Sequence, residues 1–476
     1  MKHILKYLFI FFALFLLVGC KKFLNVRVDN NTINPRTVTD FEEMLNGSTI
    51  AEPNFLLADF VSDDIQLSDL VLSNGSEGSY FVKAYLWDDA VWAATEDDYM
   101  YNETYKRILQ MNIILDNIMQ ADSGSAERKE IVAAQAKINR AYCYYQLVNL
   151  YGADYQNTNA AKELAVPLVL HPDASELPHR NTVQEVYDQV LVDLNDAVST
   201  GSLPDFGVDV IHPGKAAAQA LLARTYLNMD DYDKALASAE LVLKIKNTLL
   251  DYRRFDFVTS DNPQGGISNK PFTLRDQQSN PEILLARVCI DLPFYNKFLE
   301  TFYISRDVEE LYGTKDLRFV YNFKPRRDTI PPSYLYYSND ERQSMQFNYS
   351  IGVPEMMLIK AECLARKGEG TAAIQLLDQL RQYRFADVDY SKLEGSSTDA
   401  LTLVLKERQR ELYMRGGMRL FDLKRLNNEP KYKRDLERKS LKDSLITTLE
   451  AGSPRYLIPF APKNIANNPL IIQNER

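Results

Sequence analysis

Two stretches of this chain place small and apolar residues at the spacing of two antiparallel helices, a pattern that restricts the possible folds more than any other in the sequence. In the clearer stretch, Leu222, Ala223 and Tyr226 recur at helical intervals, and Ala235 begins a second helical pattern after the turn 229–232. Small residues at facing positions let two helices approach closely, and an aromatic ring fills the gap beside them. This stretch therefore predicts a helical hairpin.

A second stretch has a similar pattern, with its helices meeting around the turn 367–370. Its apolar positions are Ala361, Leu364, Ala373, Leu377 and Leu380. Both stretches resemble tetratricopeptide repeats, although Leu364 stands where that repeat has a tyrosine. Segments 101–120 and 127–151 could form another pair. Because such hairpins bury a continuous core only by stacking on neighbours, we predict a mainly α fold built on a tetratricopeptide-like hairpin scaffold.

The helical pattern is interrupted between the repeats. Thr182 and Glu185 form a capping-box pattern that opens one helix, and Gly152 is placed to end another. The irregular stretches within residues 252–349 are rich in Asn, Asp, Pro, Gly and aromatic residues, and loops of this length are usually functional or packed as a lobe. We predict an irregular, loop-rich lobe there, within one large domain over residues 41–476. The predicted repeats cover about residues 101–151, 182–247 and 352–416.

The first twenty residues have the pattern of an exported, lipidated protein. Lys2, His3 and Lys6 form a short basic region, and residues 7–18 are an uninterrupted apolar run. That run is too short to cross a bilayer, which takes about 20 residues, but it fits the apolar part of a signal peptide. Leu17-Val18-Gly19-Cys20 then resembles the lipobox of bacterial lipoproteins. We predict a signal peptide over residues 1–19, a lipid on Cys20 and a lipidated tether over residues 20–40.

The charge balance and the scarcity of reactive side chains exclude several function classes. Loss of Lys2 and Lys6 with the leader would leave a formal charge of −12, which argues against nucleic acid. Three histidines would remain, all next to prolines, and no HExxH, GxSxG or Walker motif occurs. We predict no catalytic residue, metal or cofactor, and leave open a calcium site in the acidic stretch 59–69. Three cysteines without CxxC spacing are predicted to be buried thiols: Cys143, Cys289 and Cys363.

An aromatic segment over residues 80–105 is the best candidate for a ligand site. It contains both tryptophans of the chain, and acidic side chains lie nearby in sequence. Sugars stack their C–H faces on aromatic rings, while Asp and Asn side chains bind their hydroxyls. Both tryptophans could instead belong to the core, and the acidic residues that follow Trp87 favour that residue slightly for the site. The predicted ligand-binding residues are Trp87, Trp92, Tyr80, Tyr85, Asp63 and Asp64.

Charged residues near the C-terminus permit two interpretations. They could be catalytic, or they could form a structural ion network that ties the C-terminal helix to the scaffold. Arginine pairs with carboxylates in a bidentate geometry, and such pairing leaves no unpaired base, so we favour the ion network. The residues concerned are Glu407, Arg408, Arg410, Glu411, Arg419, Asp422 and Arg425.

Nearly the whole chain resembles the SusD/RagB family of outer-membrane nutrient-binding lipoproteins from Bacteroidetes. The C-terminal pattern is the most specific part, although the segment 415–418 is one residue longer than is usual in the family. The motifs that carry the resemblance include Arg140-Ala141-Tyr142, Val166-Pro167-Leu168, Leu221-Leu222-Ala223-Arg224, Lys360-Ala361-Glu362, Glu407-Arg408, Glu411-Leu412, Asp422-Leu423, Asn468-Pro469 and Gln473-Asn474.

The resemblance implies a binding protein rather than an enzyme. In that family the lipoprotein covers a SusC-like TonB-dependent barrel in the outer membrane, captures an oligosaccharide or peptide, and closes over the barrel lumen. We therefore expect a glycan-binding lid, with a RagB-type peptide-binding lid as the alternative and a surface glycoside hydrolase as a less favoured one. Lys21-Lys22-Phe23 follow the predicted lipidation site in place of an acidic export tag, which leaves cell-surface or periplasmic exposure open.

Overall fold

The structure, which is a computed structural model, consists mainly of helices. This confirms the prediction of a mainly α fold. Residues Thr37–Arg476 form one compact unit. The predicted signal peptide, Cys20 and most of the predicted tether lie outside the described part of the chain. The described residues are 35–73, 79–155, 160–172, 177–255, 279–290, 302–323, 346–395 and 398–476.

The helices differ widely in length, and the long ones carry the scaffold. Within the described residues they are α1 Val38–Leu45, α2 Ser48–Ala51, α3 Leu56–Val61, α4 Asp69–Ser73, α5 Tyr80–Tyr85, α6 Tyr99–Asn117, α7 Ala126–Tyr151, α8 Val183–Ser199, α9 Lys215–Asn228, α10 Tyr232–Ile245, α11 Arg306–Tyr312, α12 Leu317–Asn322, α13 Val353–Arg366, α14 Gly370–Arg381, α15 Ala400–Glu411, α16 Met418–Leu426 and α17 Pro462–Asn467. None of them is both long and apolar enough to cross a membrane.

The predicted hairpins are present. Helix α6 packs against α7, α9 against α10, and α13 against α14. Ala223 and Ala235 are fully buried at the contact between α9 and α10, and the intervening turn contains Asp230 with a positive φ of 54°. Helix α10 also packs on α13, and α15 packs on both α13 and α14, so the hairpins stack as repeat units do.

Local capping signals set the helix ends as predicted. The Thr182 hydroxyl accepts a hydrogen bond from the Glu185 backbone N–H at 3.2 Å, and the Glu185 carboxylate accepts one from the Thr182 backbone N–H at 2.8 Å. This reciprocal pair satisfies donors that the start of α8 leaves without intrahelical partners. Gly152 lies at the C-terminal end of α7, where its N–H donates to the Val148 carbonyl.

Short strands join the described parts of residues 252–349 to the helical scaffold. The described parts of residues 252–349 contribute strands that pair with the segments at 65–67 and 351–352, and apolar side chains such as Leu285, Ile304 and Val308 enter the main core. Much of the predicted irregular lobe lies outside the described residues. The antiparallel pairs are β1 Ile65–Leu67 with β4 Phe302–Ile304, β2 Ile283–Leu285 with β6 Ile351–Gly352, β3 Val288–Ile290 with β5 Gln346–Asn348, and β7 Leu436–Lys439 with β8 Leu445–Leu449.

Buried ion pairs hold α15 and α16 to the scaffold, which confirms the structural interpretation of the charged C-terminal residues. Arg318 contacts Glu407 at 2.7 Å and Glu411 at 2.6 Å, and Arg384 contacts Glu411 at 2.8 Å. Burial alone would raise the pKa of Glu407, but Arg318 and Arg410 outweigh it and hold that pKa well below its usual range. Further pairs are Arg408–Asp422, Arg425–Asp422, Arg425–Glu362 and Arg419–Asp63. The thiols of Cys143, Cys289 and Cys363 are buried, as predicted.

Candidate ligand-binding site

The aromatic segment is held in place by the helices on either side of it. The Phe81 ring of α5 packs on Phe60 of α3, with ring centroids 4.8 Å apart. On the neighbouring position of α5, Tyr80 stacks on Trp92, with centroids 4.9 Å apart and an interplanar angle of 30°. The Trp92 indole N–H donates to the Pro459 carbonyl at 2.7 Å, which fixes the ring plane under Tyr80.

These rings line a cavity of about 340 Å³. Tyr99, the first residue of α6, stands at its edge and is 57% exposed, whereas Tyr80 is half-buried and Trp92 is almost fully covered. Aromatic rings therefore line the cavity from its exposed edge at Tyr99 to its buried side at Trp92. Its lining residues are Asn54, Leu57, Tyr80, Phe81, Trp92, Tyr99, Met100 and Ile290.

Asp98 fixes the position of Tyr99. Its carboxylate accepts a hydrogen bond from the Tyr101 backbone N–H at 3.0 Å, which caps α6, and another from the Tyr151 hydroxyl at 2.5 Å. Asp98 is fully buried, and burial raises its pKa to about 6 despite these hydrogen bonds. A capped helix start presents Tyr99 in a defined place rather than on a mobile loop.

Two of the predicted site residues are buried in the core. Tyr85 and Trp87 are each 1% exposed, and the guanidinium of Arg438 lies between them, 3.9 Å from the Tyr85 ring centroid and 4.2 Å from that of Trp87. The Trp87 indole N–H donates to the Val61 carbonyl at 2.9 Å. Both aromatic faces thus contact a buried cation, and the acidic residues after Trp87 do not indicate its exposure.

The two predicted aspartates also lie apart from the cavity. Asp63 accepts hydrogen bonds from Arg419 at 2.7 and 2.9 Å and also contacts Arg434, and it lines a different cavity, together with Tyr85. Asp64 is fully buried and accepts a hydrogen bond from the Gln409 side chain at 3.0 Å. Burial raises the pKa of Asp64 to about 6, although Arg419 acts in the opposite direction.

Of the six predicted ligand-binding residues, the structure therefore brings Tyr80 and Trp92 together at one cavity. Sequence reasoning did not single out Tyr99, which nevertheless lies inside the predicted aromatic segment. Asn54 and Met100 also line the cavity, and neither carries a sequence signal that separates it from ordinary helix-end or core residues. In the described part of the chain, no three His, Cys, Asp or Glu side chains are grouped as metal ligands.

Two family models match separate parts of the chain. Residues 22–227 match a SusD-like family described as "Starch-binding associating with outer membrane", and residues 336–476 match the SusD family. Two curated relatives from Formosa agariphila, the SusD-like proteins P2 and P25, are 33% identical over 148 residues and 27% identical over 165 residues. These alignments cover 30% and 32% of this chain, and 27% and 30% of the relatives, so the chain matches less than a third of each relative's length.

Solved structures share the fold over nearly the whole chain. A SusD superfamily protein from Bacteroides thetaiotaomicron is 23% identical with a TM-score of 0.68, and the alignment covers 92% of this chain and 100% of that one. A SusD-like carbohydrate binding protein from Bacteroides vulgatus is 19% identical with a TM-score of 0.63, covering 92% of this chain and 97% of the other. At these identities the similarity establishes the fold.

Proposed function

Because this chain belongs to the SusD/RagB family of Bacteroidetes, we propose that it binds an oligosaccharide nutrient at the cavity beside Tyr80, Trp92 and Tyr99. It then acts as the lid of a SusC-like TonB-dependent barrel in the outer membrane. The lipoprotein supplies affinity and gating, and the barrel supplies the path across the membrane.

The stacked pair of Tyr80 and Trp92 is the observation that carries this proposal. Sugar rings have apolar C–H faces that pack on aromatic rings, and binding sites for small molecules are mostly apolar with a few placed polar groups. Trp92 is fixed by its hydrogen bond to the Pro459 carbonyl, and Asp98 caps the helix that presents Tyr99. Such preorganised rings lose little conformational entropy when a ligand binds.

Binding without bond cleavage is part of the proposal. A glycosidase needs two carboxyl groups that flank the bond to be broken. Asp63 is paired with Arg419, and Asp64 is buried beside Gln409, so neither is placed at the aromatic cavity. Release of products from a labelled polysaccharide by the purified protein would contradict this part of the proposal.

A lipid on Cys20 is the proposed anchor, and that residue lies outside the described residues. Acyl chains would hold the protein at the outer membrane, with each buried methylene contributing about 0.8 kcal/mol. We propose that the binding domain faces the cell exterior. Protease treatment of intact cells should then remove it, and its survival would place it on the periplasmic side. Co-purification with a barrel after mild detergent extraction tests the lid role.

Calorimetric titration of the purified protein with panels of oligosaccharides and protein digests tests the ligand class. Tyr99→Ala removes an exposed ring at the cavity without opening the core, and we expect it to weaken saccharide binding by roughly tenfold, which corresponds to about 1.4 kcal/mol. Phe206→Ala is the matched control, since Phe206 is also an exposed aromatic residue but does not line the cavity. Binding of digests in place of saccharides would favour the peptide-binding lid.

A further inference from the structure

We propose that the aromatic cavity selects uncharged saccharides over acidic ones and gives cationic amino sugars no advantage. This inference rests on the proposed function and extends it to the chemical class of the ligand. Its first support is the lining itself. The described residues that line the cavity carry apolar, aromatic and amide side chains, with Asn54 as the amide, so an ionic group on a ligand would meet no opposite charge among them.

Several acidic side chains close in sequence to the rings have polar partners of their own. Asp97 pairs with Lys463 at 2.7 Å, and Asp89 pairs with Arg455 at 2.8 Å. The Glu96 carboxylate accepts a hydrogen bond from the Ala93 backbone N–H at 2.6 Å, and Asp98 is buried under the start of α6. None of these carboxylates lines the cavity, so the acidic residues of this segment do not form a cation site there.

The charge of the whole chain acts against anionic ligands. Its formal net charge is −10, and long-range repulsion slows the approach of polyanions to a protein of the same sign. Transfer of a single carboxylate from water onto ring faces without a counter-ion adds a desolvation cost. A neutral saccharide meets neither penalty, because it carries no charge to be repelled or desolvated.

Matched ligands provide the test. A neutral oligosaccharide that binds in the panel is oxidised at C6, which converts its hydroxymethyl groups to carboxylates on the same backbone, and both forms are titrated by calorimetry. We expect the carboxylated form to bind on the order of tenfold more weakly or worse. A fully N-acetylated chitin oligosaccharide and its deacetylated, cationic counterpart are compared in the same way, and we expect no advantage for the cationic form.

A protein variant provides a second test that does not depend on which oligosaccharide is chosen. Tyr99→Arg preserves a planar group that can stack on a sugar and adds a cation at the cavity edge. We expect it to raise the ratio of carboxylated to neutral affinity by roughly tenfold, whereas Phe206→Arg, away from the cavity, should leave that ratio almost unchanged.

The outcomes separate this inference from the function on which it rests. Equal or tighter binding of the carboxylated form, or tighter binding of the amino form, if abolished by Tyr99→Ala, would overturn the selectivity and leave the glycan-binding proposal standing. Failure of every saccharide, neutral or charged, to bind would overturn the proposed function and this inference together. Neutral binding that falls steeply with added salt would also count against the inference, because screening changes ionic contacts far more than ring stacking.

Discussion

The carboxyl group of Asp59 lies where a negative charge is costly. The residue is fully buried on α3, and one of its oxygens accepts a hydrogen bond from the Gly417 backbone N–H at 2.9 Å. Burial raises its pKa to about 8, and the nearby Asp64 adds to the effect, while the Gly417 hydrogen bond opposes it. The folded protein therefore holds this proton more tightly than the unfolded chain does.

A pH dependence of stability follows from that difference. Below the unfolded pKa of about 3.9, Asp59 is protonated in both states. As pH rises from there toward about 8, the unfolded chain releases the proton and the folded one retains it, so folding stability falls. We expect Asp59→Asn to flatten this decline, measured as the free energy of unfolding in urea at several pH values between 5 and 8.

Asp64→Asn provides the comparison for this prediction. Burial raises the pKa of Asp64 to about 6, so its own contribution to the decline should end near pH 6. Its replacement also removes a charge that helps to raise the pKa of Asp59, so the remaining decline should continue above pH 6 but end somewhat below pH 8. A decline between pH 6 and 8 that is equally steep in Asp59→Asn and in the unmodified protein would contradict the assignment of the proton to Asp59.

At the residue scale, the sequence indicates the chemistry of a side chain better than its exposure. The segment that contains Tyr80 and Trp92 can be identified from the sequence, because its aromatic residues lie close together along the chain. The burial of Tyr85 and Trp87 cannot be, since it depends on Arg438, which is far away in the chain and inserts between the two rings. Long-range partners of this kind leave no local pattern.

Among the elements, the turn before α16 should be unusually sensitive to substitution. Gly417 has a φ of +88°, and a Cβ atom there would lie 2.8 Å from the Cβ of Ala58. Gly368, in the turn between α13 and α14, has a φ of +85° but open space around it. Both positions penalise L side chains through the backbone, by about 1–2 kcal/mol, whereas Gly417 alone adds a steric clash.

We therefore expect Gly417→Ala to lower the free energy of unfolding by about 1–3 kcal/mol more than Gly368→Ala does. Comparing the two variants separates the loss of stability caused by the close approach of α3 to α16 from the loss caused by a positive φ. Equal losses in chemical denaturation would mean that α3 and α16 are not in contact at this point.

The buried ion network makes a different prediction for α15. Arg384 is fully buried and contacts Glu411, Glu282 and the Leu250 carbonyl. Replacing it by methionine would leave carboxylates with fewer cations in a dry environment, so we expect Arg384→Met to cost about 3–5 kcal/mol in urea denaturation.

The surface pair of Arg128 and Glu42 serves as the control for that experiment. Both side chains are substantially exposed, and we expect Arg128→Met to leave the free energy of unfolding almost unchanged. If the Arg384 and Arg128 variants lost similar stability, the network would not be the structural tie that its geometry indicates.

Helices were predictable from the sequence and strands were not, for a physical reason. The α9–α10 hairpin and the Thr182 cap depend on residues within a few turns of each other. Strand β1 pairs with β4 across more than 200 residues, and each strand has only three residues, too few for an alternating pattern to stand out. The predicted irregular lobe lies largely outside the described residues, and the sequence did not indicate which scaffold segments its described strands join.

At the scale of the whole molecule, the proposed anchor and the proposed ligand site lie in different parts of the chain. Residues Thr37–Arg476 form a compact unit by themselves, and the aromatic cavity draws its described lining entirely from that unit. Function in the proposed setting needs both the folded unit and a membrane anchor. Changing the anchor should therefore change the location of the protein without changing its ligand affinity.

Replacement of the proposed lipidation site tests this separation directly. We expect Cys20→Ser to incorporate no radiolabelled palmitate and to move from the membrane to the soluble fraction, because no acyl chains remain to be buried. Its saccharide affinity and thermal unfolding should match those of the unmodified protein. Cys143→Ser is the matched control, since that thiol is buried within the fold and the variant should keep its label. Palmitate on the Cys20 variant would show that another residue carries the anchor.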